Sequence, residues 1–168
     1  ETVSCTVTTE AVFEAFRGEA DDRAAYFRDI STFGGCTAGP AAALENLRII
    51  EDEKLLENAT HMGEYLMAGL QALKDKHPLI GDVRGKGLFL GIELVADRAT
   101  REPVAERIAM QVAGACMARG LIIGRTNRSF ADYNNTLCLS PALTLNQEQA
   151  DEILSTLDIA LGLVEGHA

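Results

Sequence analysis

The chain has 168 residues, with 15 Lys+Arg against 25 Asp+Glu, a formal net charge of −10, and 47% apolar residues. That composition is too apolar for a disordered chain, and its acidity argues against nucleic acid or an anionic membrane as the main partner. No window approaches the roughly 20 apolar residues that span a bilayer, and no basic-then-apolar leader is seen. The first residue is Glu1 rather than Met, which leads us to expect a piece of something longer.

Residues 1–8 (ETVSCTVT) are rich in Thr and Val and predict a strand. Thr9 is placed to cap a short helix over 10–16, stopped by Gly18. Residues 19–30 are charged and show no period. Residues 31–40 (STFGGCTAGP) read as a loop. A helix follows through Ala41, Ala42, Leu44, Leu47 and Ile50. Apolar residues then recur at Leu55, Ala59, Met62, Leu66, Leu70 and Leu73, one face of a second or continuing helix that His77 and Pro78 end. A short strand is expected over 80–84, a buried strand over 87–96 and a turn over 97–101. Pro103 suits the first turn of a helix whose apolar face is Val104, Ile108, Val112 and Cys116, ended by Gly120. Residues 121–123 predict a short buried strand, 125–135 a polar loop, and 136–140 a strand closed by Pro141. Asn146 and Gln149 have the spacing of a capping box before the last helix, which carries Ala150, Ile153, Leu154, Leu157, Leu161 and Val164 on one face. The fold class is α/β, with helices packed on a small sheet; strand direction stays open.

Few residues offer chemistry. Cys5, Cys36, Cys116 and Cys138 form no CxxC pair and have no His at ligand spacing, so no zinc or other metal site is expected. Scattered cysteines read as reduced thiols used as small core residues in a cytoplasmic protein. His61, His77 and His167 suggest no role. Gly85-Lys86-Gly87 leads into a strand rather than a helix, so a dinucleotide site is rejected, and the glycines read as a bend between two strands. Residues 32–40 form a hydroxyl- and Gly-rich loop feeding a helix, a pattern that suits a phosphate as well as a simple cap. Arg84 and Arg125 each stand at the end of a strand, where an arginine suits a carboxylate or phosphate as well as a salt bridge.

Five segments together resemble the C-terminal part of class III (ω-amino acid:pyruvate type) aminotransferases, pyridoxal-phosphate enzymes of fold type I. They are residues 2–16 (TVSCTVTTEAVFEAF), 31–51 (STFGGCTAGPAAALENLRIIE), 83–94 (VRGKGLFLGIEL), 119–125 (RGLIIGR) and 139–157 (LSPALTLNQEQADEILSTL), in family order. The resemblance implies a trailing part of the large cofactor domain over 1–30 and a small domain over 31–168 that includes the interface loop 31–40. It implies that Thr32, with Phe33 and Gly34, contacts the phosphate of pyridoxal 5'-phosphate held in the partner subunit of a homodimer. It implies transfer of an amino group from an amine or ω-amino acid to a keto acid such as pyruvate. Arg125 matches the family's carboxylate-binding arginine, one residue later than the direct slot, which Gly124 occupies. The Schiff-base lysine of the family lies before the segment matched by residues 2–8, and Lys54, Lys74, Lys76 and Lys86 do not match it. The chain on its own is therefore expected to be inactive. The alternative is a non-enzymatic α/β binding or interaction module with the same small-domain fold. A phosphate-binding enzyme built on the Thr32 loop lacks a candidate base or nucleophile.

Overall fold

A computed structural model describes residues 3–17, 32, 34–127, 130 and 133–165. The chain divides into two compact units, Glu1–Asp52 and Glu53–Ala168, described separately.

In the first unit, residues 3–9 are exposed and form no ladder, in place of the expected strand. A strand needs a neighbour to take up its backbone groups, and the described residues of this unit offer none. Helix α1 is Glu10–Glu14. Thr9 starts it with its backbone rather than its hydroxyl: its carbonyl accepts from the amides of Val12 and Phe13, both at 3.1 Å. Helix α2 is Ala38–Asp52. Pro40 lies in its first turn, where a missing N–H costs no intrahelical bond. Leu44, Leu47 and Ile49 remain exposed on α2.

The second unit runs α3 (Leu55–Lys76), β1 (Ile80–Lys86), β2 (Phe89–Asp97), β3 (Glu102–Pro103), α4 (Glu106–Met117), β4 (Gly124–Arg125), β5 (Thr136–Leu139) and α5 (Gln147–Glu165). The strands form one antiparallel sheet in the order β1-β2-β5-β4, with β3 pairing β2. Register places Ile92 opposite Leu137 and Leu90 opposite Leu139, so one face of the sheet is continuously apolar. Against that face pack Met62, Leu66 and Leu70 of α3, Ala109, Val112 and Cys116 of α4, and Leu157 and Leu161 of α5. Each large side chain buried here contributes about 1.5–3 kcal/mol of transfer free energy. On the other face Phe89 is exposed and Glu93 and Cys138 are half-buried. Among the described residues no helix is long and apolar enough to cross a membrane.

The α/β reading holds, and three local expectations are corrected. Pro103 lies in β3 rather than in a helix, since an edge strand tolerates a residue without an N–H; α4 begins three residues later. Residues 121–123 are not a strand, because the Leu121 amide turns back to the Cys116 carbonyl at 3.0 Å and completes the end of α4. The ladder starts at Gly124. Finally, only Cys116 is a core thiol, with burial raising its pKa; Cys5 and Cys36 are exposed and Cys138 is half-buried.

Gly85 and Gly87 do form the bend between β1 and β2, both with positive φ (150° and 54°). This turn abuts α3 so closely that a Cβ on Gly63 would overlap the Gly87 carbonyl. The capping box at the start of α5 is complete. Asn146 Oδ1 accepts from the Gln149 amide at 2.9 Å, and Gln149 Oε1 accepts from the Asn146 amide at 3.1 Å.

Candidate functional site

Thr32, Gly34, Gly35 and Cys36 are all exposed, while Phe33 lies outside the described residues. Gly35 has φ +85°, a left-handed conformation that suits glycine, and the chain enters α2 three residues later. The segment thus offers an accessible Thr hydroxyl and backbone unshielded by side chains at 34 and 35, just ahead of the positive end of a helix dipole. That donor set fits a phosphate group.

Arg125 sits in the second unit with its guanidinium engaged. Its Nη1 donates to Glu106 Oε1 at 2.7 Å, to the Thr126 carbonyl at 2.9 Å and to the Asn134 carbonyl at 3.3 Å. Glu106 belongs to the first turn of α4, where a carboxylate also complements the helix dipole. Cross-strand pairing sets the direction of the side chain: Arg125 is opposite Leu137, which is fully buried, and Gly124 is opposite Cys138. Successive residues of a strand point to opposite faces. The offset of one residue between Arg125 and the slot held by Gly124 therefore changes the face of the sheet, not merely the position along it.

Arg84 is also paired. Its Nη1 donates to Glu93 at 2.6 Å and to Asp82 at 3.0 Å, and these two contacts, Glu93 first, raise its pKa above the ordinary arginine value. Lys74 lies 3.7 Å from Asp82 and Lys76 2.6 Å from Asp158, at the C-terminal end of α3. Lys54 precedes α3 in a left-handed conformation, and Lys86 closes β1. Among the described residues no group of three or more His, Cys, Asp and Glu is arranged to hold a metal ion.

Sequence reasoning missed one cluster. His77, 4% exposed, sits between two carboxylates of α5, with Nε2 2.6 Å from Asp158 Oδ1 and Nδ1 2.8 Å from Glu165 Oε2. The second oxygen of Glu165 accepts from the Leu79 amide at 3.1 Å. Arg98 closes the cluster by donating to the carbonyls of Lys74, His77 and Ile80. The carboxylate partners of His77 lie more than 80 residues away in sequence, so no local spacing announces the cluster.

The family model "Aminotransferase class-III" matches residues 2–161, nearly the whole chain. The chain belongs to the class-III aminotransferase family. Among curated proteins it is similar to taurine–pyruvate aminotransferase of Bilophila wadsworthia, 59% identical over 163 residues, which is 97% of this chain and 36% of that protein. Among solved structures it is similar to a Bacillus anthracis aminotransferase, with 44% identity and a TM-score of 0.82 over 92% of this chain and 34% of that one. It is also similar to an ω-transaminase from Pseudomonas jessenii in complex with PMP, with 34% identity and a TM-score of 0.66 over 75% of this chain and 26% of that one. The chain thus spans about a third of the length of these relatives. Members of the family are pyridoxal-phosphate-dependent.

Proposed function

We propose that this chain is the C-terminal part of a pyridoxal-phosphate-dependent aminotransferase that moves an amino group from an amine or ω-amino acid to a keto acid such as pyruvate. The observation that carries the reading is the match at 59% identity to a taurine–pyruvate aminotransferase across 97% of the chain. Taurine and pyruvate are accordingly the first pair to assay. In this reading residues 1–30 trail from the large cofactor domain and residues 31–168 form the small domain. The protein is a cytoplasmic homodimer, and the 31–40 loop serves the cofactor of the partner subunit.

The cofactor supplies an electron sink for the carbon that exchanges its amino group. The contribution of this chain is positional. Thr32 and the backbone around Gly34 hold the phosphate. Arg125 is the candidate for the acid group of the substrate, and it serves only by releasing Glu106. The base that moves the proton comes from the rest of the protein, so the chain alone does not transaminate.

The test has two arms. In the full-length protein, Thr32→Val is expected to raise the pyridoxal-phosphate dissociation constant about tenfold, as loss of a charge-assisted hydrogen bond requires. Alanine formation from taurine and pyruvate should persist at saturating cofactor. An unchanged cofactor affinity removes Thr32 from the site. For the chain alone, a stoichiometric absorbance band with pyridoxal phosphate, abolished by replacing Lys54, Lys74, Lys76 or Lys86, would overturn the reading that the catalytic lysine lies elsewhere.

A further inference from the structure

Between the last turn of α3, the edge strand β1 and the turn that joins β2 to β3 lies a cavity of about 460 Å³. Its walls carry three cations, Lys74, Arg98 and Arg101, and two carboxylates, Asp82 and Glu93. Both carboxylates are already engaged, because Arg84 donates to Glu93 at 2.6 Å and to Asp82 at 3.0 Å. The cavity is therefore cationic, on a chain whose net charge is −10.

Each of the three cations keeps open donors. Arg98 is fixed by backbone: Nε donates to the Ile80 carbonyl at 2.9 Å, and Nη2 donates to the carbonyls of Lys74 and His77. Those bonds cover the carbonyl end of α3, which would otherwise repel an anion. They leave Nη1 without a partner among the described residues. The Lys74 ammonium stands 3.7 Å from Asp82, an ion pair too long to be a hydrogen bond. Arg101 makes no hydrogen bond or ion pair with any described residue. Its backbone is nevertheless left-handed, with φ 60°, a conformation that glycine or asparagine adopts more readily than arginine. The turn does not use the guanidinium: Asp97 Oδ1 folds it by accepting from the amides of Ala99 at 2.6 Å and Thr100 at 3.2 Å. Strain held at a side chain with no bond of its own is a mark of a functional position.

We infer that this cavity binds a phosphate group, presented as inorganic phosphate or as a phosphate monoester. Arg98 supplies a rigid donor, Arg101 a planar fork and Lys74 a compact charge, a set that matches the several oxygens of a tetrahedral dianion. A monocarboxylate has one charge and two oxygens, too few for three cations. The bound group joins the β2–β3 turn to the end of α3, two elements that meet in the cavity from opposite sides of β1. The proposed reaction gives no role to any of these residues.

The experiment is isothermal titration calorimetry of the full-length protein saturated with pyridoxal phosphate, at constant ionic strength set with sodium chloride. Inorganic phosphate and glycerol 3-phosphate are titrated separately. One-to-one binding with a dissociation constant of about 1 mM or tighter is expected for at least one of them. Arg101→Gly is the decisive variant. Glycine suits φ 60°, so this variant should melt at or above the wild-type midpoint while binding the anion at least about tenfold more weakly. Lys74→Gln, which leaves the turn untouched, should weaken binding by a similar factor. Thr32 and Arg125 stay intact throughout, so phosphate taken up there is common to all titrations and cancels in the comparison. Tighter binding of glycerol 3-phosphate assigns the site to a monoester, and equal or tighter binding of inorganic phosphate assigns it to the free ion. A dissociation constant above about 10 mM for both probes overturns the site, as does an affinity that either variant leaves unchanged.

Discussion

Replacing His77 by Leu removes the imidazole that joins α3 to α5 while nearly keeping the side-chain volume. The histidine contacts Asp158 at 2.6 Å and Glu165 at 2.8 Å with its two ring nitrogens, and its side chain is 5% exposed. Breaking a buried pair by removing one partner costs about 3–5 kcal/mol when the other charge is left buried and alone. Here neither carboxylate is left alone. Asp158 keeps Lys76 at 2.6 Å, Glu165 keeps the Leu79 amide at 3.1 Å, and both side chains are partly open to water, at 30% and 24%. The cost is therefore lower, about 2 kcal/mol, and the melting midpoint should fall by roughly 4–8 °C. Differential scanning calorimetry, checked by urea unfolding followed by circular dichroism, measures both quantities. A variant with an unchanged midpoint would mean that the cluster adds no net stability over a leucine of similar size. The assignment of His77 as the fastener of the α3 and α5 termini would then be wrong.

Asp158 adds a pH dependence. The hydrogen bond from Lys76, and after it that from His77, lowers its pKa below the ordinary aspartate value. A depressed folded-state pKa contributes stability that is present above the unfolded value, about 3.9, and is lost as pH falls through the folded one. Urea midpoints measured downward from pH 6 should decline more shallowly in Asp158→Asn than in the wild type; parallel profiles would refute the linkage. At the other end of α5, Asn146→Ala should cost about 1 kcal/mol by urea unfolding. Because Asn146 and Gln149 serve each other, the double alanine variant should cost less than the sum of the two single ones, and strict additivity would deny the box.

The sequence announces elements whose cause is local. The stripe from Leu55 to Leu73 is legible because burial of one helical face imposes its own period, and Leu55, Met62, Leu66, Leu70 and Leu73 of that stripe are buried in α3, with Ala59 half-buried. The Asn146–Gln149 box is legible because both partners lie within one turn. Illegible features depend on what the chain meets in space. Residues 3–9 have the composition of a strand, but a strand exists only with a neighbour. Leu121 has the composition of a buried strand, but its amide is taken by the preceding helix. For Arg125, the sequence supplies the residue type and the strand end. Its direction depends on which residue of β5 stands opposite, and that register decides whether it meets Glu106 or the other side of the sheet. The family, by contrast, is readable from short segments in order, because each keeps its own glycine and apolar pattern whatever surrounds it.

The contact between Gly63 and the Gly87 turn has a mechanical consequence. A helix lying on a sheet can ordinarily slip along its axis by one turn, about 5.4 Å, and find new grooves for its side chains. Helix α3 cannot. One turn away on the same face it carries Ala59 and Met67, and either would drive a side chain into the carbonyl that only Gly63 clears. The two glycines act as key and keyway, fixing the axial position of α3 by shape rather than by attraction. Whatever motions this unit makes in service of a reaction, α3 and the β1–β2 hairpin must travel as one rigid piece.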